Sequence, residues 1–277
     1  MANDTNVCMF GPVQIVGLSL VDIITIFMGH PVIGRLLWIT IASKKTTDIL
    51  NFNLALFHYF QYCITFFHLI CLLVMTGTHQ LISRFLLVYV QIGGPMSLSY
   101  ICLERYVAVI HPTSYPLLKE YRVREVCALA VWLLSVPCAS LSVLSQSVLS
   151  ILVKSVLNQL PSSVMLSMVT IMVACSIMIA RALKKSGPGR DEMHPVKKRA
   201  FKTVRATSIL TMCCYLPVTL IQLFTYKDVF IYECFVIPAS IILLSVASVV
   251  HPVLYLSTQG KLLAFFKPFY APCRALM

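Results

Sequence analysis

Leu103-Glu104-Arg105-Tyr106-Val107-Ala108-Val109-Ile110-His111-Pro112 ends an apolar stretch that runs near 80–109, and sets an acid and a base side by side where that stretch gives way to a polar segment. A helix needs about 20 residues to cross roughly 30 Å of bilayer hydrocarbon, and the run before the pair is long enough. Charged side chains at membrane depth are costly and mark function or pairing. The stretch therefore reads as the inner end of a membrane-spanning helix.

Working outward, seven such runs are found, near 13–42, 49–76, 80–109, 123–146, 160–184, 200–226 and 230–257. Arg84 and Gln91 interrupt the third, and 138–160 is nearly all Ser, Leu and Val, so those boundaries are soft. The connections are short, which makes 1–277 a single domain. Composition agrees: 58% of the 277 residues are hydrophobic and 12% charged, whereas a soluble domain carries about 25% charged residues. Fourteen prolines and ten glycines lie scattered through these runs, as spanning helices tolerate. The expected fold is an all-α membrane protein, a seven-transmembrane helix bundle in the lipid bilayer.

The net charge of +12 does not indicate nucleic acid, because the basic residues sit in short segments between apolar runs rather than on one solvated face. They set orientation instead. Eighteen, from Lys44 and Lys45 through Lys197, Lys198 and Arg199 to Arg274, fall on the side holding the C-terminus, and Arg84, Lys154 and Lys227 fall on the other. Short cytoplasmic connections are enriched in Lys and Arg, so the N-terminus is expected outside and the C-terminus in the cytoplasm of a multi-pass plasma-membrane protein. No basic region precedes the first run and no small-residue cleavage site follows it, so no cleaved signal peptide is expected. Asn3-Asp4-Thr5 fits an N-glycosylation acceptor or a chance triplet. Residues 258–268 place Leu262, Leu263, Phe265 and Phe266 beside Lys261 and Lys267, which suits a short interfacial helix, and Cys273 beyond it is either a palmitoylation site or a plain thiol. The eleven cysteines show no zinc spacing and lie mostly inside apolar runs, as small buried hydrophobes do. No metal or cofactor is expected.

Glu104-Arg105-Tyr106, with its continuation through His111-Pro112, resembles the Glu/Asp-Arg-Tyr motif of rhodopsin-like G-protein-coupled receptors. Further landmarks follow in family order: Trp132, Cys214-Tyr215-Leu216-Pro217, and Pro252-Val253-Leu254-Tyr255. Gly29-His30-Pro31, Asn51-Phe52-Asn53-Leu54-Ala55 and Arg181-Ala182-Leu183-Lys184-Lys185 resemble the branch that holds nucleotide, protease-activated and many fish orphan receptors. The resemblance covers nearly the whole chain. It implies that Arg105 rests against Glu104 when inactive and swings to a heterotrimeric G protein when active. Pro217 and Pro252 each remove a backbone donor and would act as hinges in spans six and seven, or as static kinks.

The sequence also departs from that family. The usual disulfide at the outer end of span three is missing: its position matches Gln80, and 141–160 contains no cysteine. Some relatives join the N-terminus to the third outer loop, which implies a Cys8–Cys234 bridge as the alternative to two free thiols. The acidic residue of the family's sodium site matches His58, the asparagine of span seven matches His251, and Gly94 stands where a serine is usual. Hard cations want oxygen ligands, so sodium regulation is expected to be absent. His58 and His251 are expected to be neighbours, as a packed neutral pair, a proton switch or a soft-metal site. Ser176 and Ile33 replace two further polar positions of the family network. Lys197, Lys198 and Arg199 offer Arg105 no acidic partner, which fits elevated basal activity or the charge rule alone.

On the outer side, Arg84 is expected opposite Thr219, Gln222 and Tyr226. An arginine in that cleft suits a small anionic extracellular ligand, and equally suits snorkelling toward headgroups. No nucleophile motif, His-Glu-x-x-His or glycine-rich phosphate loop points to an enzyme. A transporter usually shows repeated halves, and none is seen. A seven-span protein that binds ligand without coupling, or a degenerate receptor, is the remaining alternative.

Overall fold

Backbone N–H and C=O groups in hydrocarbon have no water to bond, so a chain this apolar must satisfy them within helices. The computed structural model describes residues 12–42, 49–74, 78–116, 122–148, 150–185, 204–225 and 231–258. Among these described residues no strand occurs, and seven long helical segments do: α1 (Pro12–Ala42), α2 (Ile49–Val74), α3 (Thr78–Ile110), α4 (Val123–Ser147), α5 (Ile151–Lys185), α6 (204–225) and α7 (231–258). Among the described residues, six of the seven are long and apolar enough to cross a membrane, α2 not being among them. That helix carries Asn51, Asn53, His58, Gln61 and His68. Asn53, His58 and Gln61 are buried, so its polarity is turned into the bundle rather than outward.

Sidedness is inverted relative to a soluble protein. Phe27, Trp38 and Leu133 stand on the outer surface, where lipid would cover them. Ser97, Ser135, Thr25 and Ser248 are buried. This is the architecture of a multi-pass helical membrane protein.

The helices form a closed circuit in which α1 packs on both α2 and α7, while α3 packs on α2, α4 and α5. The main core gathers Leu54, Phe57, Met96, Val131, Met172, Tyr215 and Val218 from α2 through α6. A second, smaller core joins α1, α2 and α7 through Ile33, Leu36, Ala55, Tyr62 and Leu256.

Six helices hold a proline inside them: Pro31 in α1, Pro95 in α3, Pro137 in α4, Pro161 in α5, Pro217 in α6 and Pro252 in α7. In α6 the irregularity is a π-turn, Thr211–Tyr215, closed by the Leu216 N–H donating to Thr211 O just before Pro217. Such bulges and prolines are the usual causes of kinks. The expected boundary that moves most is the start of the fifth run, where the helix begins at Ile151 rather than near 160. The apolar span itself is Gln159–Ala182. The helix simply continues past the hydrocarbon with Lys154 and Asn158 in its added turns.

Candidate functional site

Two consecutive residues on a helix point about 100° apart and do not face each other, and the C-terminal end of α3 obeys this. Glu104 does not hold Arg105, as the resemblance implied. Its Oε1 instead pairs with Arg124 Nη2 at 2.5 Å, both side chains being largely buried. Tyr115 sits between them: its hydroxyl donates to Glu104 Oε1 at 3.2 Å and accepts from Arg124 Nη2 at 2.5 Å. The guanidinium also lies 5.5 Å from the centre of the Tyr115 ring, within cation–π range. Arg124 arrives there from the first turn of α4. That helix is opened by Arg122 at φ 51°, a left-handed conformation that costs a non-glycine residue roughly 1–2 kcal/mol.

Arg105 is left without its expected acid. Its Nε is buried and has no hydrogen-bond partner among the described residues. Tyr106 packs edge-on against His111, ring centres 5.8 Å apart. Lys197, Lys198 and Arg199 lie outside the described residues, as do Asn3, Cys8, Tyr226, Cys273 and the segment 259–268. Cys234 is disulfide-bonded.

In the middle of the bundle the structure brings His58 of α2 and His251 of α7 together, ring centres 5.5 Å apart and planes tilted by 39°. By hydrogen-bond geometry both ring nitrogens of His58 and Nδ1 of His251 are buried without partners among the described residues, and the Gln61 side chain lies close enough to His58 to act on it as a hydrogen-bonding neighbour. Gly94 faces the His58 ring closely enough that an added Cβ would sit 3.8 Å from Cε1. Three unfilled imidazole nitrogens can accept a water, a proton or a soft metal ion. Among the described residues no group of three or more His, Cys, Asp and Glu is close enough to cage a metal. Ser176 and Ile33, the two replaced network positions, are both buried.

Near the C-terminal end of α6, Gln222 is the hub of a polar contact between three helices. Ser162 of α5 donates to its Oε1 at 3.3 Å, and its Nε2 donates to Ser240 Oγ of α7 at 3.2 Å. Thr219, expected to project into a ligand cleft, is fully buried and turns its hydroxyl back to Leu216 O at 2.9 Å. A helix threonine commonly bonds its own backbone in this way. The side chain of Arg84 lies outside the described residues. Tyr215 is buried in the main core, and Tyr255 is half-buried against the smaller one.

Among the polar contacts not anticipated in the sequence are four that join separate helices through a buried side chain. Glu104–Arg124 is one. The second joins Asp22 of α1 to His68 of α2, Oδ2 to Nδ1 at 3.0 Å, with Asp22 buried; an aspartate alone in an apolar run was its visible signal. The third links three helices through Asn53, whose Oδ1 accepts from Trp132 Nε1 at 2.6 Å and whose Nδ2 donates to Ser97 Oγ at 3.1 Å. The fourth is a bond from the Tyr62 hydroxyl to Ser248 O at 2.8 Å.

No protein-family model matches the chain, and no curated protein matches it.

Proposed function

We propose that this chain is a rhodopsin-like G-protein-coupled receptor, with seven spans and an extracellular N-terminus. It carries the binding of an extracellular ligand at the outer end to a heterotrimeric G protein at the inner end. The observation that carries the reading is Arg105. A guanidinium whose Nε is buried and unpaired among the described residues is costly to leave unmade, and it sits at the basic end of α3 while its acidic neighbour is occupied by Arg124 and Tyr115. A partner presenting carbonyl or carboxylate oxygens would satisfy it. The π-turn before Pro217 and the proline at 252 supply two places where α6 and α7 can bend to admit that partner.

The test is G-protein activation in cells expressing the wild type and Arg105→Ala at matched surface level. The expected result is a basal or ligand-evoked signal in the wild type that the variant lacks. An undiminished signal in Arg105→Ala would remove Arg105 from the mechanism. A second reading, a seven-span protein that binds without coupling, is favoured by the His58–His251 pair, which replaces the oxygen-rich centre of relatives with bare imidazoles. Silence of the wild type at full surface expression would select it.

A further inference from the structure

Proline lacks a backbone N–H, so in a helix the carbonyl four residues earlier loses its donor. For Pro252 that carbonyl is Ser248 O. In α7 it is not left empty: the phenolic hydroxyl of Tyr62 on α2 donates to it at 2.8 Å. Ser248 cannot fill the gap itself, because its own hydroxyl donates to Ser245 O at 2.7 Å. The Tyr62 side chain is fully buried, as is Ser248, and water cannot readily replace the phenol there.

The surroundings are fitted to this one bond. Gly29 of α1 lies so close that an added Cβ would overlap the Tyr62 ring, and His30 packs beside it with ring centres 5.5 Å apart. Tyr62 is thereby threaded between α1 and α7. One turn earlier on the same face of α2 stands His58, against His251. Both contacts therefore reach α7 within the turn that ends at Pro252, and both depend on how α7 is bent there.

We propose that Tyr62 is a positioning residue for the α7 hinge: its hydroxyl replaces the amide missing at Pro252, and loss of that hydrogen bond frees the inner half of α7, with Tyr255, to move. The hydrogen bond stands without the receptor reading; its effect on signalling rests on that reading.

The test compares wild type, Tyr62→Phe, Pro252→Ala and the double variant in lipid nanodiscs, by amide hydrogen exchange of α7 and by signalling at matched surface level. Phenylalanine keeps the ring and removes only the donor, leaving a buried carbonyl unfilled. Exchange through residues 249–256 should then rise about tenfold, with α4 unchanged. In the Pro252→Ala background the restored amide makes the phenol redundant, and the same change should move exchange less than about twofold. If Tyr62→Phe leaves α7 exchange unaltered, or alters it equally in both backgrounds, the proposal is overturned. If Pro252→Ala does not accumulate, the single Tyr62→Phe measurement decides. Coupled exchange with no signal from any form would keep the latch and reject the receptor; an Arg105-dependent signal indifferent to Tyr62→Phe would do the reverse.

Discussion

The two sides of α2 solve the same problem in opposite ways. Towards α3 and α4, Asn53 spends its amide on Ser97 and Trp132, and Phe57 stacks on the Trp132 ring with centres 4.1 Å apart. Each of these polar atoms has a partner. Towards α7, one turn further along, His58 meets His251 with three ring nitrogens that lack a well-formed hydrogen bond among the described residues, and a side chain of α2 stands in for an amide missing from α7. A satisfied polar network rigidifies its surroundings, whereas a partly satisfied one is where a second arrangement costs least. The α2–α3–α4 side thus reads as frame, and, with Asp22 and His68 tying α1 to α2, the contact with α7 reads as the part that can change.

The largest effect should come from breaking the frame. Trp132→Ala removes the stacked ring and strands Asn53 Oδ1, and should lower stability by about 3–5 kcal/mol, visible as a large fall in the melting temperature of the detergent-solubilised protein. A fall no greater than that of an exposed Leu133→Ala control would deny the seam its framing role.

Both sides also rely on a glycine that admits an α2 aromatic ring: Gly93 of α3 against Phe57, and Gly29 of α1 against Tyr62. Alanine at either position overlaps that ring, and overpacking typically costs about 1–3 kcal/mol. The comparison predicts an ordering rather than equal losses. Phe57 is boxed in by Trp132 and cannot yield, so Gly93→Ala should fall at the upper end. Gly29→Ala can be relieved by a shift of α1 or α7, and should cost about 1 kcal/mol while changing α7 exchange more than Gly93→Ala does. Melting curves and exchange maps of the two variants check both halves; the opposite ordering would mean that the α7 side is the stiffer one.

Much of this was legible in the sequence, and the division has a physical basis. Hydrophobic runs reveal spans because each helix must satisfy its own backbone in lipid; among the described residues each expected segment is helical and six are apolar enough to span, the start of α5 being the boundary that moved. Adjacency of His58 and His251 followed from the resemblance, since it depends only on helix order and depth. The partner of Glu104 did not follow: reaching Arg124 takes the turn after α3, and an Arg at the neighbouring position drew attention away from it. Tyr62 was hidden for another reason. Pro252 announces that Ser248 has lost a donor, but which side chain replaces it depends on Gly29 leaving room for a ring, and that is a property of the packed bundle.

The smallest predicted effect concerns the unfilled pair. If His58 has no partner, its two ring nitrogens are already desolvated without return, and His58→Leu removes that penalty while keeping most of the volume. Replacing an unsatisfied buried polar group by an apolar one of similar shape is commonly neutral or stabilising, so the melting temperature should stay within the equivalent of about 1 kcal/mol of the wild type or rise. A fall equivalent to about 2 kcal/mol or more would mean that His58 is paired, with Gln61 or with a bound water, proton or metal ion, because only a lost partner makes leucine the worse choice. Repeating the melt with a chelator then separates the metal from the other partners. In that event the two sides of α2 would be alike in being satisfied, and the softness assigned to the α7 side would rest on Pro252 and the Tyr62 hydroxyl alone.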